Sequence, residues 1–188
     1  LHCDVSTQNI LVSVSGEVKL TDFGIAKALE TRGEIEERAD LVRGKVAYLA
    51  PELLDGAPPT VRTDVYAMAM TLYAAIARLP FSRREMEQTM VAIVREKLPA
   101  LSTLRPEVPE ELDAILLRAG AHNPEERTPT AQALQLELEE WLASQSPVDV
   151  GAWVHDNAGP RVAIPPPPPL NDLSRTIPIF DDLDLREL

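Results

Sequence analysis

Two short apolar runs separated by a turn, between Leu1 and Gly24, constrain this chain more than any other pattern in it. Ile10 to Val12 and Val18 to Leu20 are rich in β-branched residues and read as strands, and Val14-Ser15-Gly16 between them reads as a tight turn. A hairpin doubles the chain back on itself. Asp22, just past the second strand, therefore returns to the neighbourhood of Asn9, just before the first. Asp4 lies a short loop upstream of the same open end. Two carboxylates and an amide at one mouth form a candidate site for a divalent metal and for acid/base chemistry.

The bulk properties exclude several alternatives. A chain of 188 residues can bury one respectable core, and a second domain is not expected. A net charge of −12 argues against nucleic acid as the main partner, because phosphate binding needs clustered Lys and Arg. Cys3 is the single cysteine, which rules out an internal disulfide or a Cys-rich metal site and fits a reducing, cytoplasmic setting. No apolar run approaches the length of a membrane span, and no signal peptide is visible. The first residue is Leu, already inside the candidate site, so further sequence is expected upstream.

The spacing of the opening stretch resembles the catalytic core of the eukaryotic-type protein kinases. Their signature is H-R-D, an Asn five residues after the Asp, a hairpin, and then D-F-G. Here these are His2-Cys3-Asp4, Asn9 and Asp22-Phe23-Gly24, with Cys3 in place of Arg. Either tripeptide alone is weak; both at this spacing are strong. Downstream, a polar and acidic stretch over residues 25–49 runs into Gly44-Lys45-Val46-Ala47-Tyr48-Leu49-Ala50-Pro51-Glu52. It resembles an activation segment closed by A-P-E, at the distance from D-F-G that kinases show.

Beyond the turn cluster Asp55-Gly56-Ala57-Pro58-Pro59, residues 61–78 are apolar almost all round and read as a buried helix. Asp64 near its start has two readings: a helix-start carboxylate favoured by the dipole, or, as the resemblance implies, the kinase Asp that holds backbone amides of the catalytic loop. A further helix is expected from about Arg84 to Arg95. Another follows Pro109 with Leu112, Ile115, Leu116 and Ala119 on one face, and a last one spans about Ala131 to Leu142, with Thr130 as N-cap and Leu134, Leu138, Trp141 and Leu142 inward. In kinases an Arg in the loop before that helix pairs with the Glu of A-P-E; Arg127 and Glu52 match, the alternative being an exposed Arg in a polar loop.

The resemblance covers residues 1 to about 143 and implies an α+β, mostly α, fold: a kinase C-lobe with a short β-hairpin at the catalytic loop. The N-lobe is absent from these residues, and the glycine-rich loop, the strand-three Lys and its partner Glu would lie upstream. Residues 144–188 read as a disordered, acidic, proline-rich tail. The run Pro165 to Pro169 should form a polyproline II segment, a stiff spacer or a ligand for a partner that binds such motifs. The acidic-apolar end could order on contact with a partner.

The division of labour implied is that of a serine/threonine protein kinase acting on protein substrates with ATP and Mg2+, and the brevity of the loops points to a bacterial one. Asp22 would hold Mg2+ at the nucleotide phosphates, Asn9 a second Mg2+, and Asp4 would accept or orient the substrate hydroxyl proton. His2 packs as scaffold beside Phe23. Serine/threonine over tyrosine rests on the G-x-x-x-Y-x-A-P-E ending. The alternative is a non-catalytic scaffold that recruits partners through lobe and tail.

Departures from the pattern carry information. Many kinases have a Lys two residues after the catalytic Asp that reaches the transferred phosphate, where this chain has Ser6; after Gly44, where Thr is usual, it has Lys45. Those positions face each other in the kinase fold, so the resemblance implies that Ser6 and Lys45 exchange roles, with Lys45 catalytic. The alternative is a Lys45 that points to solvent. The H-R-D Arg normally grips a phosphorylated loop, which Cys3 cannot do, and the loop offers only Thr31. Both features imply activity independent of loop phosphorylation. Thr7 stands where Pro is usual.

Overall fold

The computed structural model describes residues 1–23 and 45–157. Gly24, Thr31, Gly44 and the tail with Pro165 to Pro169 lie outside the described residues. Residues 1–156 form one compact unit, and a second begins at Asn157.

The hairpin is where the sequence puts it. A 3-10 turn, Thr7–Asn9, leads into β1 (Ile10–Val12), which pairs antiparallel with β2 (Val18–Leu20) in the register Ile10↔Leu20, Leu11↔Lys19, Val12↔Val18. The Ser13 N–H donates to the Glu17 carbonyl at 2.8 Å, and Gly16 takes φ +84°, a left-handed conformation that a side chain would strain.

The other main elements among the described residues are helices: α1 (Pro51–Leu54), α2 (Val61–Ile76), α3 (Met86–Arg95), α4 (Glu110–Ala119), α5 (Ala131–Ala143) and α6 (Val150–Asn157). Helix α2 is the axis of the core. Its N-terminus is fixed by a capping box between Thr60 and Thr63, and Val65, Tyr66, Ala69, Met70 and Tyr73 are fully buried along it. The Tyr73 hydroxyl donates to the Pro99 carbonyl at 2.7 Å, satisfying the one polar atom that this ring carries inward. Helix α4 packs against both α2 and α5 with Leu112, Ile115, Leu116 and Ala119 inward, the face its periodicity predicts. Asp113 accepts from the backbone N–H groups of Leu101 and Ser102, closing the 3-10 turn Leu101–Thr103.

Two expectations are corrected. Leu142 is exposed rather than inward. At about 100° per residue, Leu134, Leu138 and Trp141 share one stripe of α5, whereas Leu142 sits about 80° round from Leu134 in the last turn. The folded part also does not stop at 143: α6 lies inside the stretch read as tail. It buries Val154 and brings Gly151 against the hairpin turn, where a Cβ on Gly16 would meet the Gly151 backbone nitrogen at 2.7 Å. Only two glycines allow that approach.

Candidate active site

The loop from His2 to Asn9 is held from below by α2. Asp64, in the first turn of that helix, accepts the His2 N–H on Oδ2 at 2.7 Å and the Cys3 N–H on Oδ1 at 2.8 Å. Of its two readings, the one that holds loop amides is the one observed. The tie matters because Cys3 has φ 64°, a conformation that costs a non-glycine residue about 1–3 kcal/mol unless its surroundings impose it. Charge-assisted bonds of this kind are the strong ones. Asp64→Asn keeps the shape but turns an amide –NH2 toward one of the two N–H donors. It is expected to cost about 1–3 kcal/mol for the orphaned donor, read as a lowered thermal midpoint; an unchanged midpoint would mean the loop is held by something else.

His2 is buried and serves as a spacer within the loop. Its Nδ1 lies 3.3 Å from the Asp4 N–H and its Nε2 lies 3.1 Å from the Thr21 carbonyl, so the first accepts and the second donates. The ring stands against Phe23, with centroids 4.6 Å apart. One imidazole therefore ties the loop before β1 to the segment after β2. Burial, followed by the Asp64 carboxylate, pushes the Cys3 thiol up from its ordinary range, so Cys3 stays a thiol and is a poor nucleophile.

Three of the residues picked out from the sequence meet at one point. Asn9 is buried, and its Nδ2 donates to the Asp4 carbonyl at 2.7 Å and to Asp4 Oδ2 at 3.0 Å. Lys45 Nζ lies 2.5 Å from the same Asp4 Oδ2, with the two side chains 22% and 12% exposed. Lys45 does not simply point to solvent. Asp22 arrives beside Asn9 through the backbone: the Thr21 N–H donates to the Asn9 carbonyl at 2.8 Å, and the Thr21 hydroxyl donates to it at 3.2 Å. The next residue, Asp22, is exposed at the mouth with φ 57°. Aspartate tolerates this left-handed turn better than most side chains, and the turn redirects the chain at the end of the hairpin.

Position 6 is closed. Ser6 is 1% exposed, and its hydroxyl finds no hydrogen-bond partner among the described residues. Position 7 has a use that the sequence did not suggest: the Thr7 and Tyr48 hydroxyls share a hydrogen bond of 2.8 Å. A proline there could not make it. The only signal in the sequence was the departure itself, since nothing in it pairs position 7 with position 48.

The A-P-E end of the following segment is anchored by one guanidinium. Arg127 gives Nη1 to Glu52 Oε1 at 2.8 Å and Nη2 to Glu52 Oε2 at 2.7 Å, a bidentate pair. Its remaining donors reach the carbonyls of Ala121, Arg62 and His122 at 2.6, 3.2 and 3.0 Å. All five N–H groups are thus used, with the side chain 0% exposed and stacked over the Tyr66 ring at 4.8 Å. Thr63 also donates to Glu52 Oε1 at 3.0 Å. Burial pushes the Glu52 carboxyl up, but the hydrogen bonds from Arg127, a backbone N–H and Thr63, together with the Arg127 charge, outweigh it and hold the group below the usual carboxylate range.

No group of three or more His, Cys, Asp or Glu among the described residues is placed to hold a metal ion. Mg2+ keeps several waters and takes few protein ligands alongside substrate phosphates. The donor set at the mouth, an exposed carboxylate at Asp22 beside the buried amide of Asn9, is of the hard oxygen type that this ion selects. Asn9 spends its Nδ2 on Asp4, so its side-chain oxygen is the atom that would face a metal ion.

Comparison with known proteins places this geometry in context. The family described as "Protein kinase domain" matches residues 1–138. The chain is 39% identical over 164 residues to "Tyrosine-protein kinase MasK" of Myxococcus xanthus, covering 85% of this chain and 25% of that protein. It is 37% identical to "Probable serine/threonine-protein kinase PknB" of Lactococcus lactis, over 64% of this chain and 19% of that one. It is 36% identical to "Serine/threonine-protein kinase PknK" of Mycobacterium tuberculosis, over 73% and 12%. The chain thus spans a quarter or less of the length of these bacterial relatives.

Proposed function

Because this chain belongs to the protein kinase domain family, we propose that it forms the substrate-side half of a serine/threonine protein kinase site that transfers the ATP γ-phosphate to a protein hydroxyl. The observation that carries this reading is the convergence on Asp4. Its carboxylate is oriented by Asn9, and the hairpin returns Asp22 next to Asn9.

Phosphoryl transfer asks a protein for positioning and charge neutralisation more than for covalent chemistry. The substrate hydroxyl oxygen forms the new bond to the γ-phosphorus, and its proton passes to Asp4. The bond from that phosphorus to the bridging oxygen breaks, and its electron pair leaves on ADP. Asp4 Oδ2 is engaged by Asn9 and Lys45, and these contacts orient the carboxylate for the incoming hydroxyl. Asn9 and Asp22 are the residues that would hold Mg2+, whose positive charge offsets that of the phosphates. Helix α2 contributes rigidity through Asp64, so the loop is set before substrate arrives.

Two of the relatives are named serine/threonine kinases and one a tyrosine kinase. The choice between them rests on the Gly44-to-Glu52 segment. The test is to incubate the full-length protein with Mg2+, casein and ATP labelled at the γ-phosphate, then hydrolyse the product to amino acids. Label on serine or threonine is expected. Label on tyrosine alone would overturn the hydroxyl class assigned, and no transfer at all would overturn the enzyme.

A further inference from the structure

Resting on that reading, we propose that Lys45 is the cation that neutralises the transferred phosphoryl group on its substrate side, brought to the catalytic loop by the segment after the activation loop. The Thr7–Tyr48 hydrogen bond holds it there. The first premise is charge. The transferred group spreads negative charge over its equatorial oxygens, and fixed cations near it are worth most where water is excluded. The metal that Asn9 and Asp22 would hold would supply charge on the nucleotide side. On the other side, the catalytic loop itself offers none, since position 6 is a serine packed to 1% exposure.

The second premise is reach. A hydroxyl that hands its proton to Asp4 lies within hydrogen-bond distance of that carboxylate, and the phosphorus it attacks lies one bond beyond. Lys45 Nζ is 2.5 Å from the same carboxylate. A flexible four-carbon stem carries such an ammonium from Asp4 to an oxygen of the group in flight. Before substrate binds, the ion pair with Asp4 stores the cation where it will be needed.

The third premise is anchoring. Lys45 opens a buried stretch in which Val46, Ala47 and Tyr48 are all in the core. The Tyr48 hydroxyl closes on Thr7, in the loop that carries Asp4. Catalytic loop and substrate-side segment are therefore joined at Asp4–Lys45 and at Thr7–Tyr48, and neither joint involves a phosphate. Cys3, which cannot grip one, is consistent with this.

The test uses the full-length protein with Mg-ATP and casein, with kcat and the KM for ATP measured separately. Lys45→Met is expected to lower kcat by about 100-fold, the usual cost of one transition-state donor, with KM for ATP within about twofold. Lys45→Arg, which keeps the charge, should retain at least about a tenth of kcat. An active wild type with Lys45→Met at wild-type kcat overturns the inference and leaves the kinase reading standing. So does an equal loss in the Met and Arg variants, because position rather than charge would then be at stake. A wild type that transfers no phosphate overturns both.

Discussion

Arg127→Ala is expected to destabilise the folded unit by about 3–5 kcal/mol, the range for breaking a buried ion pair by removing one partner. In a domain of this size that is a fall of roughly 6–20 °C in the thermal midpoint. The size of the effect follows from how completely the guanidinium is used. Its five donors end on Glu52 and on three backbone carbonyls, with no exposed surface. Alanine leaves the half-buried Glu52 carboxylate with Thr63 and a backbone N–H as hydrogen-bond donors and removes the cation over Tyr66. Arg127→Lys should recover little, because an ammonium cannot make a bidentate pair and reach three further acceptors.

The same pair sets an acid limit. Glu52 is held below the ordinary carboxylate range in the folded state, so its contribution is complete above the unfolded value of about 4.3. It drains away as the pH falls through the lower, folded value. The wild type should therefore lose more stability on acidification through this window than Glu52→Gln does, although the variant starts lower. Denaturation midpoints measured at neutral and acid pH check both statements. An Arg127→Ala cost below about 1 kcal/mol would put the pair among the surface bridges that contribute little.

How much of this was legible in the sequence varies with the distance over which residues act. The hairpin was, because β-branched runs and a glycine turn are local signals; so was the inward face of α4, because periodicity is local. The long-range ties of Asp64 and Arg127 were legible only through resemblance. Nothing within residues 61–78 says which amides a first-turn carboxylate will meet. Helix α6 is not legible in the sequence because it buries little besides Val154, so it has no apolar stripe to announce it. Its fit depends on Gly151 meeting Gly16, far away in sequence. Leu142 departs from the expected inward face because the apolar stripe of α5 does not continue round its last turn. In the candidate site, the spacing of Asp4, Asn9, Asp22 and Lys45 is legible in the sequence, but the bond between Thr7 and Tyr48 is not. A pairing of two hydroxyls exists only in space.

The remaining large effect belongs to Asp4. It is the one group that Asn9 and Lys45 both address, and a positioned general base contributes about 10²–10⁴-fold in rate. Asp4→Asn preserves its volume and removes its capacity to take a proton. Nucleotide binding should survive, since the groups assigned to Mg2+ are Asn9 and Asp22. The decisive measurement is phosphoryl transfer and Mg-ATP affinity side by side, in the full-length wild type and in Asp4→Asn. A fall in transfer of about 10²–10⁴-fold with affinity kept within a few-fold is the predicted result. An Asp4→Asn variant that transfers phosphate as fast as the wild type would contradict it.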